Sequence, residues 1–148
     1  MLTFDENFTR MKKIFKIALL CAAVISALVN FSSCSKDSMA SSKLIGKWQA
    51  ETITAGALSI DVNKMLEGEM FITFKRGGEC VSEIVAENES ETTKGTWSYA
   101  DGILTTNIGG ETSDVTVVEL TDSRLVVSQK EVIMEQETES TITFKKVR

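Results

Sequence analysis

The chain has 148 residues, a formal net charge of −5, and 25% charged against 43% hydrophobic residues. This length supports one domain, and the balance excludes wholesale disorder. An acidic chain with no Lys/Arg cluster in its body is a poor match for a phosphate backbone, so no nucleic-acid partner is expected. There is no His and no Pro. The first absence removes the commonest general base, the commonest metal ligand and every Ser-His or Cys-His dyad. The second leaves the turns to Gly, Asn, Asp and Ser.

Residues 1–10, "MLTFDENFTR", carry acidic Asp5 and Glu6 ahead of a positive region. They are read as an extension upstream of a true start at Met11. Residues 11–33 form the first functional element. Lys12, Lys13 and Lys16 precede an apolar run of 13 residues at 17–29, and Ser32 and Ser33 follow. A positive start, a short apolar core and a small-residue cleavage site describe a secretory signal peptide, helical through its apolar core. A transmembrane helix needs about 20 apolar residues, more than this run supplies.

Cys34 stands where that signal ends. By chemistry it is half of a disulfide, a catalytic thiol or an attachment point. The stretch 29–34, Val-Asn-Phe-Ser-Ser-Cys, resembles the lipobox of bacterial lipoproteins. The resemblance implies cleavage before Cys34, diacylglyceryl transfer to its thiol, further acylation (palmitate among the acyl groups) of the new amine, and membrane anchoring through that lipid. It also implies residence in the cell envelope, lipid-anchored at the outer membrane, with the periplasmic and surface faces both open. Cys21 lies inside the signal, so only Cys80 remains in the body of the chain, without a partner for an intrachain disulfide. It reads as a small buried apolar residue in a strand.

Residues 34–43 are small and polar and read as a flexible tether. The domain spans 44–148 and reads as strand after strand: 46–56, 69–76, 79–87, 92–100, 103–108, 113–120, 124–134 and 141–147. Short turns join them. Asp101-Gly102 is the clearest hairpin signal, because both residues tolerate positive φ. Short turns make sequence neighbours pair antiparallel. The predicted fold is all-β: an eight-stranded antiparallel up-and-down barrel, whose closure removes the exposed edges. The one longer connection, 57–68, carries Asp61 as an N-cap, helix formers at 64–67 and Gly68 as a stop. It reads as one short helix or lid over an end of the barrel.

Gly46-Lys47-Trp48 resembles the Gly-x-Trp signature of the lipocalins, and the last hundred residues, "GTWSYADGILT" among them, are similar to small lipocalin-like lipoproteins of Gram-negative bacteria. The resemblance implies that Gly46 and Trp48 help close one end of the barrel. It implies a basic side chain from the last strand against the Trp; face parity with Ile142 and Phe144 names Lys146 or Arg148.

Chemistry-bearing motifs are few. There is no P-loop, no Gly-x-Ser-x-Gly, no Cys-x-x-Cys and no His-based metal site, and no metal, cofactor or catalytic residue is expected. Glu87, Glu89 and Glu91, and Glu135, Glu137 and Glu139, alternate in stretches read as solvated turns. Trp97 and Tyr99 share one strand face. They either line a cavity for a small apolar ligand or fill it as core. The expected function is therefore a membrane-anchored, non-catalytic binding or interaction module. A structural part in an envelope complex is the alternative, and a hydrolase using carboxylates alone a distant one.

Overall fold

A computed structural model describes residues 34–133 and 135–147. The extension at 1–10, the signal peptide at 11–33 and Arg148 lie outside the described residues. The segment read as a tether is helical: α1 spans Cys34–Leu44. No Gly or Pro interrupts it, and its last residue is drawn into the core, where Leu44 is fully buried.

Nine strands follow: β1 (Gly46–Ala55), β2 (Leu58–Asp61), β3 (Gly68–Phe74), β4 (Glu79–Ala86), β5 (Glu89–Ala100), β6 (Ile103–Ile108), β7 (Glu111–Leu120), β8 (Arg124–Ile133) and β9 (Gln136–Val147), with helix α2 (Val62–Leu66) between β2 and β3. Every pairing is antiparallel. The order runs β2-β1-β3-β4-β5-β6-β7-β8-β9, and β1 also pairs with β9. That last ladder, Lys47↔Val147 through Ala55↔Ser140, closes eight strands into the expected barrel. The short β2 was not expected. It folds back on the upper half of β1, Thr52↔Asp61 through Ala55↔Leu58, above the stretch of β1 that pairs with β3.

Two strands start earlier than the acidic turns suggested. Glu89 and Glu91 belong to β5, because β4 offers Ala86 and Ile84 as register partners. Glu137 and Glu139 belong to β9, opposite Val132 and Lys130 on β8, and Lys130 Nζ meets Glu137 Oε1 at 3.2 Å. Cross-strand pairing and opposite charge together outweigh the low strand propensity of Glu. In β7 the alternation slips at Val118. A bulge between Val117 and Glu119 absorbs the extra residue, so Val117 and Leu120 both face inward while Val118 is exposed. Asp101 and Gly102 adopt φ of 51° and 80°, the hairpin conformation their chemistry permits.

One end of the barrel is sealed. Trp48 is fully buried, and its indole Nε1 donates to Leu44 O at 2.8 Å. Lys146, opposite it on β9, places its ammonium 5.0 Å from the indole centroid and donates to Lys43 O at 3.0 Å. Gly46 makes this approach available. Its φ is +131°, and a Cβ there would lie 2.7 Å from Lys146 Cε. The last turn of α1 is thus clamped to β1 and β9 beneath the core.

The other end carries the β4–β5, β6–β7 and β8–β9 turns together with α2. Asp61 caps α2 by accepting from Lys64 N at 3.1 Å. The helix ends one residue before the expected stop: Glu67 takes the left-handed cap, φ 49°. Gly68 instead opens β3, where a Cβ would meet Val85 O at 2.0 Å. Val62 and Leu66 point into the barrel and are buried.

The sealed end makes a direct prediction. Trp48→Ala will lower unfolding free energy by about 3–5 kcal/mol, and Lys146→Met by about 1 kcal/mol through the lost cation–π contact. Urea denaturation followed by circular dichroism reads both as midpoint shifts at constant slope.

Candidate functional site

Above the sealed end the barrel encloses a cavity of about 380 Å³. Its floor is apolar, built from Ile72, Phe74, Leu104, Leu125 and Phe144. Val62 of α2, Ile53, Met70 and Ile84 continue the apolar wall toward the mouth. The volume exists because side chains shrink along the barrel axis. Large rings and Leu fill the sealed end, whereas above it β4 to β7 and β9 place Ser or Thr on the inner face and β8 places Gln129.

These polar residues form cross-strand pairs on the inner face: Ser82↔Thr93, Thr106↔Ser113 and Ser140↔Gln129. Ser113 is 3% exposed, and its Oγ has no hydrogen-bond partner among the described residues; the same holds for Gln129 Nε2. A buried polar atom left in this way costs about 1–3 kcal/mol. Two carboxyl groups, Glu91 and Glu111, also line the space. Glu111 follows the Gly109-Gly110 turn. Glu91 stands two residues above Thr93, whose methyl lies 3.5 Å from where a Cβ on Gly109 would be. Both carboxyl groups therefore belong to the mouth.

The wall has a seam. β7 and β8 pair only from Thr116↔Ser128 downward. Continuing that register would join Val115 to Gln129 and Glu111 to Ile133, and among the described residues those pairs are not made. Among the described strands, upper β7 pairs with β6 alone and upper β8 with β9 alone. Ser113 and Gln129 flank this opening.

Trp97 and Tyr99 are half-buried against the core cluster and are not among the residues lining the cavity. Trp97 turns toward the sealed end. Its Nε1 donates to Lys75 O at 2.9 Å in the β3–β4 turn, and its ring meets Phe74 edge-on with centroids 5.3 Å apart. Gly46, Trp48 and Lys146 meet at the sealed end; Arg148 falls outside the described residues, as does the side chain of Cys34. Among the lining residues, sequence reasoning placed Glu91 in a solvated turn and passed over Glu111, Ser113 and Gln129. Strand parity carries their signal: Glu91 shares a face with Trp97, Ser113 with Val115, and Gln129 with Leu125 and Val127.

Cys80 is fully buried, and its thiol donates weakly to Thr96 O at 3.4 Å. Burial, with Glu79 as a lesser cause, pushes its pKa above the ordinary 9.0, so it is a protonated thiol at neutral pH. No group of three His, Cys, Asp or Glu side chains able to hold a metal occurs among the described residues.

A closed eight-stranded meander with one sealed end and an internal apolar cavity defines a calyx-type barrel. The lipocalin-like domain model matches residues 44–127, more than half of the chain. The chain belongs to the lipocalin-like domain family. A comparison with curated protein sequences found no match. Among solved structures, bovine odorant-binding protein in complex with a selenium-containing odorant is 19% identical; the match covers 82% of this chain and 78% of that one, with a TM-score of 0.44. The bovine lipocalin allergen Bos d 2 is 15% identical over 72% of this chain and 75% of that one, also at 0.44.

The orphaned hydroxyl gives a stability prediction with an unusual sign. Ser113→Ala removes a buried group without a partner, so thermal melting of the ligand-free variant will match or exceed that of the parent. A loss larger than about 1 kcal/mol would mean that Ser113 is satisfied in solution.

Proposed function

We propose that this protein is a lipid-anchored envelope carrier whose barrel binds one small, mainly apolar molecule without catalysis. The observation that carries the reading is the cavity: about 380 Å³, apolar at its floor, with a few polar groups near the mouth. Ligand sites have this composition, and an eight-stranded barrel is wide enough for one small ligand. The absence of His from the chain and the raised thiol pKa of buried Cys80 support a non-catalytic role.

The anchor rests on the sequence at 11–34. Cleavage before Cys34 leaves α1 as the link between lipid and barrel. Because α1 joins the sealed end, the mouth of an anchored molecule faces away from its attachment point. Such an orientation lets a carrier exchange ligand with the aqueous space or a partner while it stays tethered. We place the molecule at the outer membrane on the same lipobox argument.

Two measurements test the reading. Fluorescence titration with an environment-sensitive apolar probe will give saturable binding at one site per chain. Val115→Trp, which pushes an indole into the cavity, will weaken that binding at least tenfold while circular dichroism retains its β spectrum. Retained affinity in a folded Val115→Trp variant would argue that the probe binds elsewhere. For the anchor, intact mass of the membrane-extracted protein will show a chain beginning at Cys34 and carrying diacylglyceryl and acyl groups. Cys34→Ser will shift the protein from the membrane fraction, and an unmodified Cys34 would remove the anchoring proposal while leaving the carrier untouched.

A further inference from the structure

Among the described residues, the charged ones that line the cavity are Glu91 and Glu111, with no Lys or Arg beside them. Both sit by the Gly109-Gly110 turn, on the inner faces of β5 and β7 at the mouth. Below Glu111 on the same face comes Ser113, 97% buried, with its Oγ aimed into the cavity and unpartnered among the described residues. Gln129, on the β8 side of the seam, also lines the cavity, and its buried Nε2 has no partner among the described residues. The floor opposite is hydrocarbon and aromatic. The space is therefore polarised along the barrel axis: apolar at depth, acidic at the entrance, with an unpartnered hydroxyl one inward position below Glu111.

We infer that the preferred ligand is an amphipathic amine, its hydrocarbon body on the Phe74–Leu104–Phe144 floor and its protonated nitrogen at the mouth between Glu91, Glu111 and the Ser113 hydroxyl. This rests on the carrier reading and narrows it to one head-group chemistry. An ammonium brings donors, and this site supplies acceptors: two carboxyl groups and a serine oxygen. A fatty acid of the same chain length brings a negative group to a mouth whose charged groups are acidic, and in a partly desolvated space like charges repel more strongly than in water. An alcohol lies between, able to hydrogen-bond but without charge assistance. The seam gives the head group a lateral exit toward solvent, so the nitrogen can enter last and keep some hydration.

The test compares three probes of one chain length, dodecylamine, dodecanol and dodecanoate, each below its micelle-forming concentration, by displacement of a bound apolar fluorophore from the purified chain. Dodecylamine will bind about tenfold more tightly than dodecanol, the scale of one charge-assisted hydrogen bond, and dodecanoate will bind most weakly. Glu111→Gln will bring the amine-to-alcohol ratio close to one. Glu135→Gln makes the same charge change in the exposed β8–β9 turn and will leave the ratio as it is; a fall there would assign the preference to net charge and overturn the site. If Glu111→Gln fails to fold, Ser113→Ala read on the same ratio replaces it, with a smaller fall expected. Equal or tighter binding of dodecanol or dodecanoate overturns the amine inference and leaves the carrier reading standing. Displacement by none of the three, from a chain with its β spectrum intact, overturns the carrier reading and this inference together.

Discussion

Closure between β1 and β9 is the constraint from which the rest of the molecule follows. An open meander of eight strands would leave two edges exposed along their whole length. Here the ladder from Lys47↔Val147 to Ala55↔Ser140 joins the first long strand to the last. The pairing is non-local, so it must be held by something that outweighs the entropy of joining strands a hundred residues apart. At the lower end of the ladder that role falls to Trp48 and Lys146, with Gly46 small enough to let the lysine pass and Leu44 O receiving the indole N–H. The cluster ties α1, β1 and β9 in one place and seals the barrel at the same time.

With one end sealed, the interior volume depends on which side chains the inner face carries at each level. Phe74, Leu104, Leu125 and Phe144 fill the lower layers. Ser82, Thr93, Thr106 and Ser113 are too small to meet across the barrel above them, and the cavity is what remains. The mouth is narrowed by α2, which exists because Asp61 caps it and because Val62 and Leu66 have a hydrophobic face to cover. It is loosened on the other side, where β7 and β8 part above Thr116. One half of the rim is therefore a packed helix and the other two hairpins joined only at their base. Local stability should differ accordingly, since upper β7 and upper β8 each keep a ladder on one side only.

Much of this architecture is legible in the residues. Asp101-Gly102 and Gly109-Gly110 mark hairpins because their chemistry permits positive φ, and Met70, Ile72 and Phe74 mark a strand by alternation. Asp61 announces a helix start. The misread places have physical causes. Glu89, Glu91, Glu137 and Glu139 look like turn residues until cross-strand partners on β4 and β8 give them a ladder. The strand at Leu58–Asp61 is four residues long, too short for a period to show. For Trp97, parity alone leaves cavity lining and core both open, and a hydrogen bond to Lys75 O, a tertiary fact, turns its ring. The polar lining was within reach by parity once the strands were correctly begun. The seam was not, because nothing in β7 or β8 alone says that their register stops at Thr116↔Ser128.

The cavity also links stability to occupancy. Buried polar atoms such as Ser113 Oγ and Gln129 Nε2 weaken the empty barrel, while the same atoms are available to any guest that supplies complementary groups. A molecule that satisfies them and covers the Phe74 floor stabilises the folded state in proportion to the logarithm of its concentration over its dissociation constant. An apolar residue at Ser113 would relieve the empty state and remove part of that coupling. The retained hydroxyl is thus more consistent with a barrel shaped around an occupant than with one shaped to be a core. The sealed end points the same way. There, among the described residues, the buried Trp48 Nε1 and the more exposed Lys146 Nζ both have partners, and large side chains fill the interior. Satisfaction and filling are concentrated where the fold is held together, and their absence is concentrated at the mouth, where a guest would be met.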